Sequence, residues 1–163
     1  MSEQQHTVEC TSIYGNMVIV PRSRLFFRPA VYGIIEHERK LLVIRSRHGG
    51  KYYLPGGGVE LGERLETALK RELREETGIE VEVQRRVHVQ EEFFYYDPLD
   101  EAMHSFLFYY LCQPKTTELL GDEQVEDDDD AEQPRWIDVQ QLCAYDFQNH
   151  DDMILQLIPS RIL

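Results

Sequence analysis

Two rhythms alternate along the chain, one of period two and one of period 3.6. Met17–Val20 and Val31–Ile35 are short apolar runs separated by a segment that carries Arg22, Arg24 and Arg28. Val31–Ile35 and Lys40–Arg45 read as strands, and the polar residues Glu36–Arg39 between them read as the turn of a hairpin. His48-Gly49-Gly50-Lys51 breaks the second strand, and Leu54-Pro55-Gly56-Gly57-Gly58 reads as incompatible with regular structure. Helix formers then take over from Leu65 to Glu76. Gly78 stands where a left-handed stop belongs, while Arg64 offers no side-chain cap at the start.

Val81–Tyr96 is rich in Val, Phe and Tyr and predicts one long or bent strand, followed by a turn at Asp97–Asp100. Ser105–Cys112 is almost continuously apolar, the mark of a central strand. Arg135–Asp138 reads as a short strand, and Val139–Tyr145 and Asp151–Ile158 as closing helices. Residues 1–12 are polar and predict a flexible or extended arm. No repeat and no long linker divides the chain, so residues 1–163 read as a single α/β domain.

Composition narrows the partners. The chain holds 17 Lys and Arg against 30 Asp and Glu, a net charge of −13. Such a surface repels a phosphate backbone, which argues against duplex nucleic acid. Cys10, Cys112 and Cys143 are widely spaced and odd in number, with no CxxC pair. They fit a reducing cytoplasmic setting better than a disulfide scaffold. The first five residues show no basic-then-apolar leader, and no apolar run approaches the roughly 18 residues of a membrane helix. The acidic stretch 122–132, with Asp127–Asp130 in a row, reads as a solvated loop; it lacks the glycine and ligand spacing of an EF-hand.

The chemistry concentrates on the helix after the three glycines. On a 3.6-residue wheel, Leu65, Ala68, Leu69, Glu72, Glu75 and Glu76 share an arc of roughly 120°, with Leu73 at its edge and Thr67, Lys70 and Arg74 opposite. The stripe that begins as a core face therefore ends as three carboxylates. Carboxylates crowded at these spacings repel one another, and partial burial raises the cost. Either they lie beyond the core edge in solvent, or a hard cation such as Mg²⁺, Mn²⁺ or Ca²⁺ offsets them.

The residues around the helix carry a longer pattern. Gly57 is followed after five residues by Glu63, and after seven more by Arg71-Glu72-Leu73-Arg74-Glu75-Glu76-Thr77-Gly78-Ile79. This resembles the 23-residue signature of the Nudix hydrolases at every fixed position, aliphatic Leu73 and Ile79 included. Leu61 departs mildly, standing where the family often has proline. The hairpin before the glycines and the Arg135-Trp136-Ile137 strand extend the likeness. The resemblance implies an α/β/α sandwich with a mixed sheet and the signature as loop–helix–loop.

It also implies residue roles. Glu72, Glu75, Glu76 and the backbone carbonyl of Gly57 would hold Mg²⁺, with Mn²⁺ as the alternative ion. Glu63 would support the loop geometry, and Arg71 would orient a ligand glutamate. The implied reaction is hydrolysis of a nucleoside diphosphate linked to another group, with Glu76 or Glu75 among the catalytic carboxylates. Asp129, Asp130 and Glu132 are loop candidates for the base that accepts the water's proton. Arg45, Arg47 and Lys51 immediately precede the signature and are the candidate phosphate contacts. Tyr52, Tyr53 and Phe93–Tyr96 are candidates to stack a base. Tyr95 and Tyr96 also have the spacing seen in relatives that cleave dinucleoside polyphosphates. The expected partner is thus a small nucleotide derivative, met by a monomer or homodimer. A non-catalytic nucleotide-sensing or interaction module is the competing reading.

Overall fold

The computed structural model describes residues 6–121, 123–124, 131–148 and 152–161. Asp127–Asp130, including the base candidates Asp129 and Asp130, lie outside the described residues. The elements run β1 (Thr7–Ser12), β2 (Met17–Pro21), β3 (Leu25–His37), β4 (Lys40–Arg45), β5 (Tyr52–Tyr53), β6 (Gly56–Gly58), α1 (Leu65–Thr77), β7 (Val81–Tyr96), β8 (Glu101–Pro114), β9 (Arg135–Asp138) and α2 (Asp152–Leu157).

The strands join in one mixed sheet ordered β2-β1-β7-β8-β3-β4-β5, with β6 also on β3 and β9 also on β4. β3 and β8 pair in parallel over eleven positions, from Leu25↔Ala102 to Ile35↔Cys112. β7 and β8 form a long antiparallel ribbon whose register shifts between Val83 and Arg85 and between Arg86 and His88. Those irregularities bend β7, as bulges do. The β3–β4 hairpin forms as expected, with Glu36 opposite Leu41 and His37 opposite Lys40.

Alternation along the central strands builds two cores. Val31 and Ile35 of β3 and Leu42 of β4 pack with Ala68, Leu69 and Leu73 of α1. Ala30, Ile34, Leu41 and Val43 face the other way, toward Val139, Leu142, Phe147, Ile154 and Ile158 of the C-terminal segment. Each fully buried leucine contributes on the order of 1.5–3 kcal/mol of apolar burial. The sheet thus lies between α1 and the C-terminal layer, the expected α/β/α arrangement. Among the described residues, no helix is long and apolar enough to cross a membrane.

Three local expectations need correction. Residues 7–12 are extended, but as strand β1, paired with β2 from Thr7 to Thr11 and with β7 at Thr11 and Ser12. Gly56–Gly58 is a short strand paired with Ala30–Tyr32, because backbone alone can pair so close to β3. Val139–Tyr145 is not one helix. It forms two 3-10 turns, Val139–Gln141 and Ala144–Asp146. The Asp138 carboxylate accepts from the Gln140 N–H at 2.8 Å, and that of Asp146 from the Cys143 N–H at 2.7 Å. Such side-chain bonds compete with helix continuation.

Candidate active site

The site is built where β6 meets α1. Gly56 has φ +147°, and a Cβ there would lie 2.0 Å from the Val31 carbonyl oxygen, so only glycine fits. This brings the Gly56 N–H to Oε2 of Glu76, 2.8 Å away and buried. At Gly57 a Cβ would lie 2.7 Å from the carboxyl carbon of Glu72. The two glycines therefore admit two helix carboxylates against bare backbone. α1 starts at Arg64 without a side-chain cap and ends at Gly78, φ +78°, as its sequence implies.

Arg71 organises the acids. Its Nε and Nη2 donate to the two oxygens of Glu63, each at 3.0 Å, and Nη2 also reaches the Gly58 carbonyl at 3.1 Å. Nη1 donates to Glu72 at 2.8 Å and to Glu75 at 3.1 Å. The Glu60 N–H closes the loop onto Glu63 at 3.2 Å. Hydrogen bonding to Glu63 raises the already high pKa of Arg71, and the same contact lowers that of Glu63.

The helix arc splits at its rim. Ala68, Leu69, Leu73, Glu76 and Thr77 are buried, while the side chain of Glu75 is 44% exposed. Burial centres on the Leu73 side of the wheel, which leaves Glu75 at the margin, paired with Arg71. Glu72 and Glu76 line the cavity, and Glu75 does not. Among the described residues, no three acidic, histidine or cysteine side chains converge as a ready metal cage. The donor chemistry still fits a hard divalent ion: carboxylate oxygens beside backbone, with no sulfur or imidazole among them. The Arg71 guanidinium balances part of their charge.

The cavity is about 700 Å³. Its floor is one face of the central strands: Phe26, Arg28 and Tyr32 of β3, Glu101, Met103, Leu107 and Tyr109 of β8, and Gln90, Glu92, Phe94 and Tyr96 of β7. Tyr52 and Tyr53 also line it, whereas Phe93 packs against His104 in a tilted contact with ring centroids 4.5 Å apart and Tyr95 bonds to Asp100 outside it. Strand alternation thus divides the aromatic candidates in two.

The cations divide differently from expectation. Arg45, Arg47 and Lys51 are absent from the cavity wall. Arg45 bonds the Gly50 carbonyl at 3.3 Å and lies 3.8 Å from Glu132, Arg47 is exposed, and Lys51 bonds the Tyr145 carbonyl. Glu132, the described loop candidate for the base, faces Arg45 and Arg135. Arg28 is instead the one Lys or Arg side chain lining the cavity among the described residues. Its positive charge is favoured first by Tyr32, then by Glu92 and Glu72. Burial raises the Tyr32 phenol, with Arg28 opposing. Period-two reading carried back from Val31–Ile35 through Pro29 puts Arg28 on the face of Ala30 and Tyr32, a signal present in the sequence.

Comparison with known proteins extends the resemblance beyond the signature. The family model for the NUDIX domain matches residues 26–157. An ADP-ribose pyrophosphatase of Methanocaldococcus jannaschii is 43% identical over 75 residues, 40% of this chain and 44% of that one. The nucleoside triphosphatase NudI of Escherichia fergusonii is 31% identical over 105 residues, 60% of this chain and 68% of that one. The chain thus spans less than half the length of the first of these relatives. Among solved structures, the MutT NUDIX hydrolase of Burkholderia pseudomallei has a TM-score of 0.58 at 26% identity, covering 72% of this chain and 87% of that one. A NUDIX-family hydrolase of Clostridium perfringens reaches 0.62 at 16% identity, covering 84% and 97%, and there the likeness concerns the fold alone. A match across most of the chain, over a sheet and helix that carry the complete signature, means that this chain belongs to the NUDIX domain family.

Proposed function

We propose that the chain hydrolyses the pyrophosphate linkage of a nucleotide derivative, with Mg²⁺ as its divalent ion and Mn²⁺ as a substitute. One observation carries the reading: Glu72 and Glu76 meet the glycine strand on the wall of a cavity whose lining also holds Arg28. A polyanionic diphosphate is repelled by such a wall unless cations stand between them. Glu72, Glu75 and Glu76 would hold the metal, with the Gly57 carbonyl beside them. When bound, a divalent ion neutralises phosphate charge and acidifies a water. The relatives named ADP-ribose pyrophosphatase and nucleoside triphosphatase support a nucleotide phosphoanhydride as the substrate class.

The chain's own groups divide the work. Arg28 contacts phosphate oxygens, taking the place first expected for Arg45, Arg47 and Lys51. Glu76, oriented by the Gly56 N–H, accepts a proton from the water that attacks phosphorus. Arg71, tied to Glu63, positions Glu72 and Glu75. Tyr52, Tyr53, Phe94 and Tyr96 supply aromatic wall for a nucleoside. Cys10, Cys112 and Cys143 are free thiols, which suits the proposed cytoplasmic setting.

The test is a nucleotide panel with Mg²⁺, run on wild type and Glu76→Gln. Wild type should release phosphate or nucleoside monophosphate, and chelator should stop it. Glu76→Gln should slow turnover at least about a hundredfold while the melting curve holds. Equal rates would remove Glu76 from the mechanism. Binding of nucleotides without turnover of any would support the sensing module instead.

A further inference from the structure

Resting on the nucleotide reading above, we propose that Gln90 reads the edge of the nucleobase and sets which base the cavity prefers. Strand register gives its distance from the chemistry. Gly58 is opposite Ala30, Ala30 opposite Leu107, and Leu107 opposite Gln90. Three strand spacings of about 4.8 Å put Gln90 roughly 14 Å across the sheet from the glycine strand. An extended nucleotide with its diphosphate at the glycines brings its base to that part of the floor. The adjacent row crosses Arg28, Ser105 and Glu92, so the guanidinium lies on the diphosphate side.

The side chain itself asks for a partner. Oε1 of Gln90 is sealed from solvent and has no hydrogen-bond partner among the described residues, although Gln90 lines the cavity. An unpaired buried acceptor bears its desolvation cost uncompensated, and a native structure that keeps one calls for a reason. A carboxamide carries an acceptor beside a donor, and its terminal torsion is broad enough to turn either inward. That pair complements the adjacent donor and acceptor of a base edge, as Gln does with adenine. Leu107 opposite it offers no hydrogen bond. Of the flanking cavity residues, Glu92 as a carboxylate only accepts and Tyr109 carries a single hydroxyl, so on this stretch of β7 and β8 the amide is the side chain with a donor beside an acceptor.

The experiment measures calorimetric binding, with Mg²⁺, of the α,β-methylene analogues of ADP, GDP, CDP and UDP. Methylenediphosphonate serves as the base-free control. Wild type should spread the four affinities over about tenfold or more, and Gln90→Leu should compress the spread to about threefold while methylenediphosphonate binds as before. Gln90→Glu replaces the amide by an acceptor-only carboxylate. It should move preference toward guanine, whose N1–H and N2–H both donate, by about tenfold. A merely structural glutamine would not produce that gain. An unchanged spread in Gln90→Leu overturns the assignment. So does a loss of methylenediphosphonate binding equal to that of the nucleotides, or a wild type that binds methylenediphosphonate as well as any nucleotide. Base-selective binding without turnover in the activity panel would instead sink hydrolysis and leave the base reader standing.

Discussion

Arg71 grips Glu63 with two parallel hydrogen bonds, Nε to Oε1 and Nη2 to Oε2, each 3.0 Å long. The same guanidinium holds Glu72, Glu75 and the Gly58 carbonyl. One planar side chain therefore fixes the loop before α1 and two acids on it. Lysine cannot form the fork, being a single point charge. Arg71→Lys should lower activity about ten- to a hundredfold, within the range for groups that orient ligand carboxylates, and should weaken Mg²⁺ titration in parallel. Unchanged metal dependence would argue against the positioning role.

Gly56 and Gly57 are neighbours with opposite consequences. An alanine Cβ at Gly56 meets the Val31 backbone oxygen at 2.0 Å, which cannot yield. Gly56→Ala should cost about 3 kcal/mol or more, read as a lower midpoint in urea. At Gly57 the Cβ meets the end of a flexible glutamate, at 2.7 Å. Gly57→Ala should keep the fold, displace Glu72 and depress turnover. Equal stability losses in both variants would contradict this division.

Among the described residues, Arg28 is the Lys or Arg side chain that lines the cavity. Arg28→Ala should raise KM for a charged substrate by about tenfold or more, as expected for a charge-assisted phosphate contact. Arg45→Ala and Arg47→Ala should leave KM within about twofold, as surface changes usually do. Steady-state kinetics on all three variants decides the assignment, and the reverse order would restore the residues beside the signature.

Glu63 gives an acid-side prediction. Its carboxyl lies below the ordinary value of 4.5 because Arg71 hydrogen-bonds the ionised form. A depressed carboxyl contributes stability above its unfolded value, and that contribution is lost as pH falls through the folded value. From about pH 5 downward, the melting temperature of wild type should fall more steeply than that of Glu63→Gln. Parallel curves would show that the pair contributes nothing.

Much of this was legible locally. The Leu65–Thr77 helix and its Gly78 stop follow from helix formers, a 3.6-residue stripe and one residue that tolerates positive φ. The β3–β4 hairpin follows from two apolar runs around a polar turn. Spacing alone puts Glu72, Glu75 and Glu76 on one arc, and Glu72 and Glu76 do line the cavity, because a helix repeats its geometry wherever it sits. Glu75 shares that arc by spacing, but the structure leaves it on the rim: its place depends on where β3 and β4 press against α1, which the wheel does not contain.

The amino-acid order by itself determined the signature, the helix that carries its acids, and the alternation of the central strands, since each depends on contacts within a few residues. Alternation puts Arg28 on one face of β3; tertiary structure decided that this face floors the cavity beside Glu72 and Glu76. Leu25 pairs with Ala102 and Arg28 with Ser105, 77 residues apart. That parallel register carries Arg28 to the cavity floor, while Arg45, Arg47 and Lys51, nearer in sequence, are absent from its wall. Which distant strands meet, and in what register, depends on the packing of the whole sheet against both its layers, and no local pattern records it.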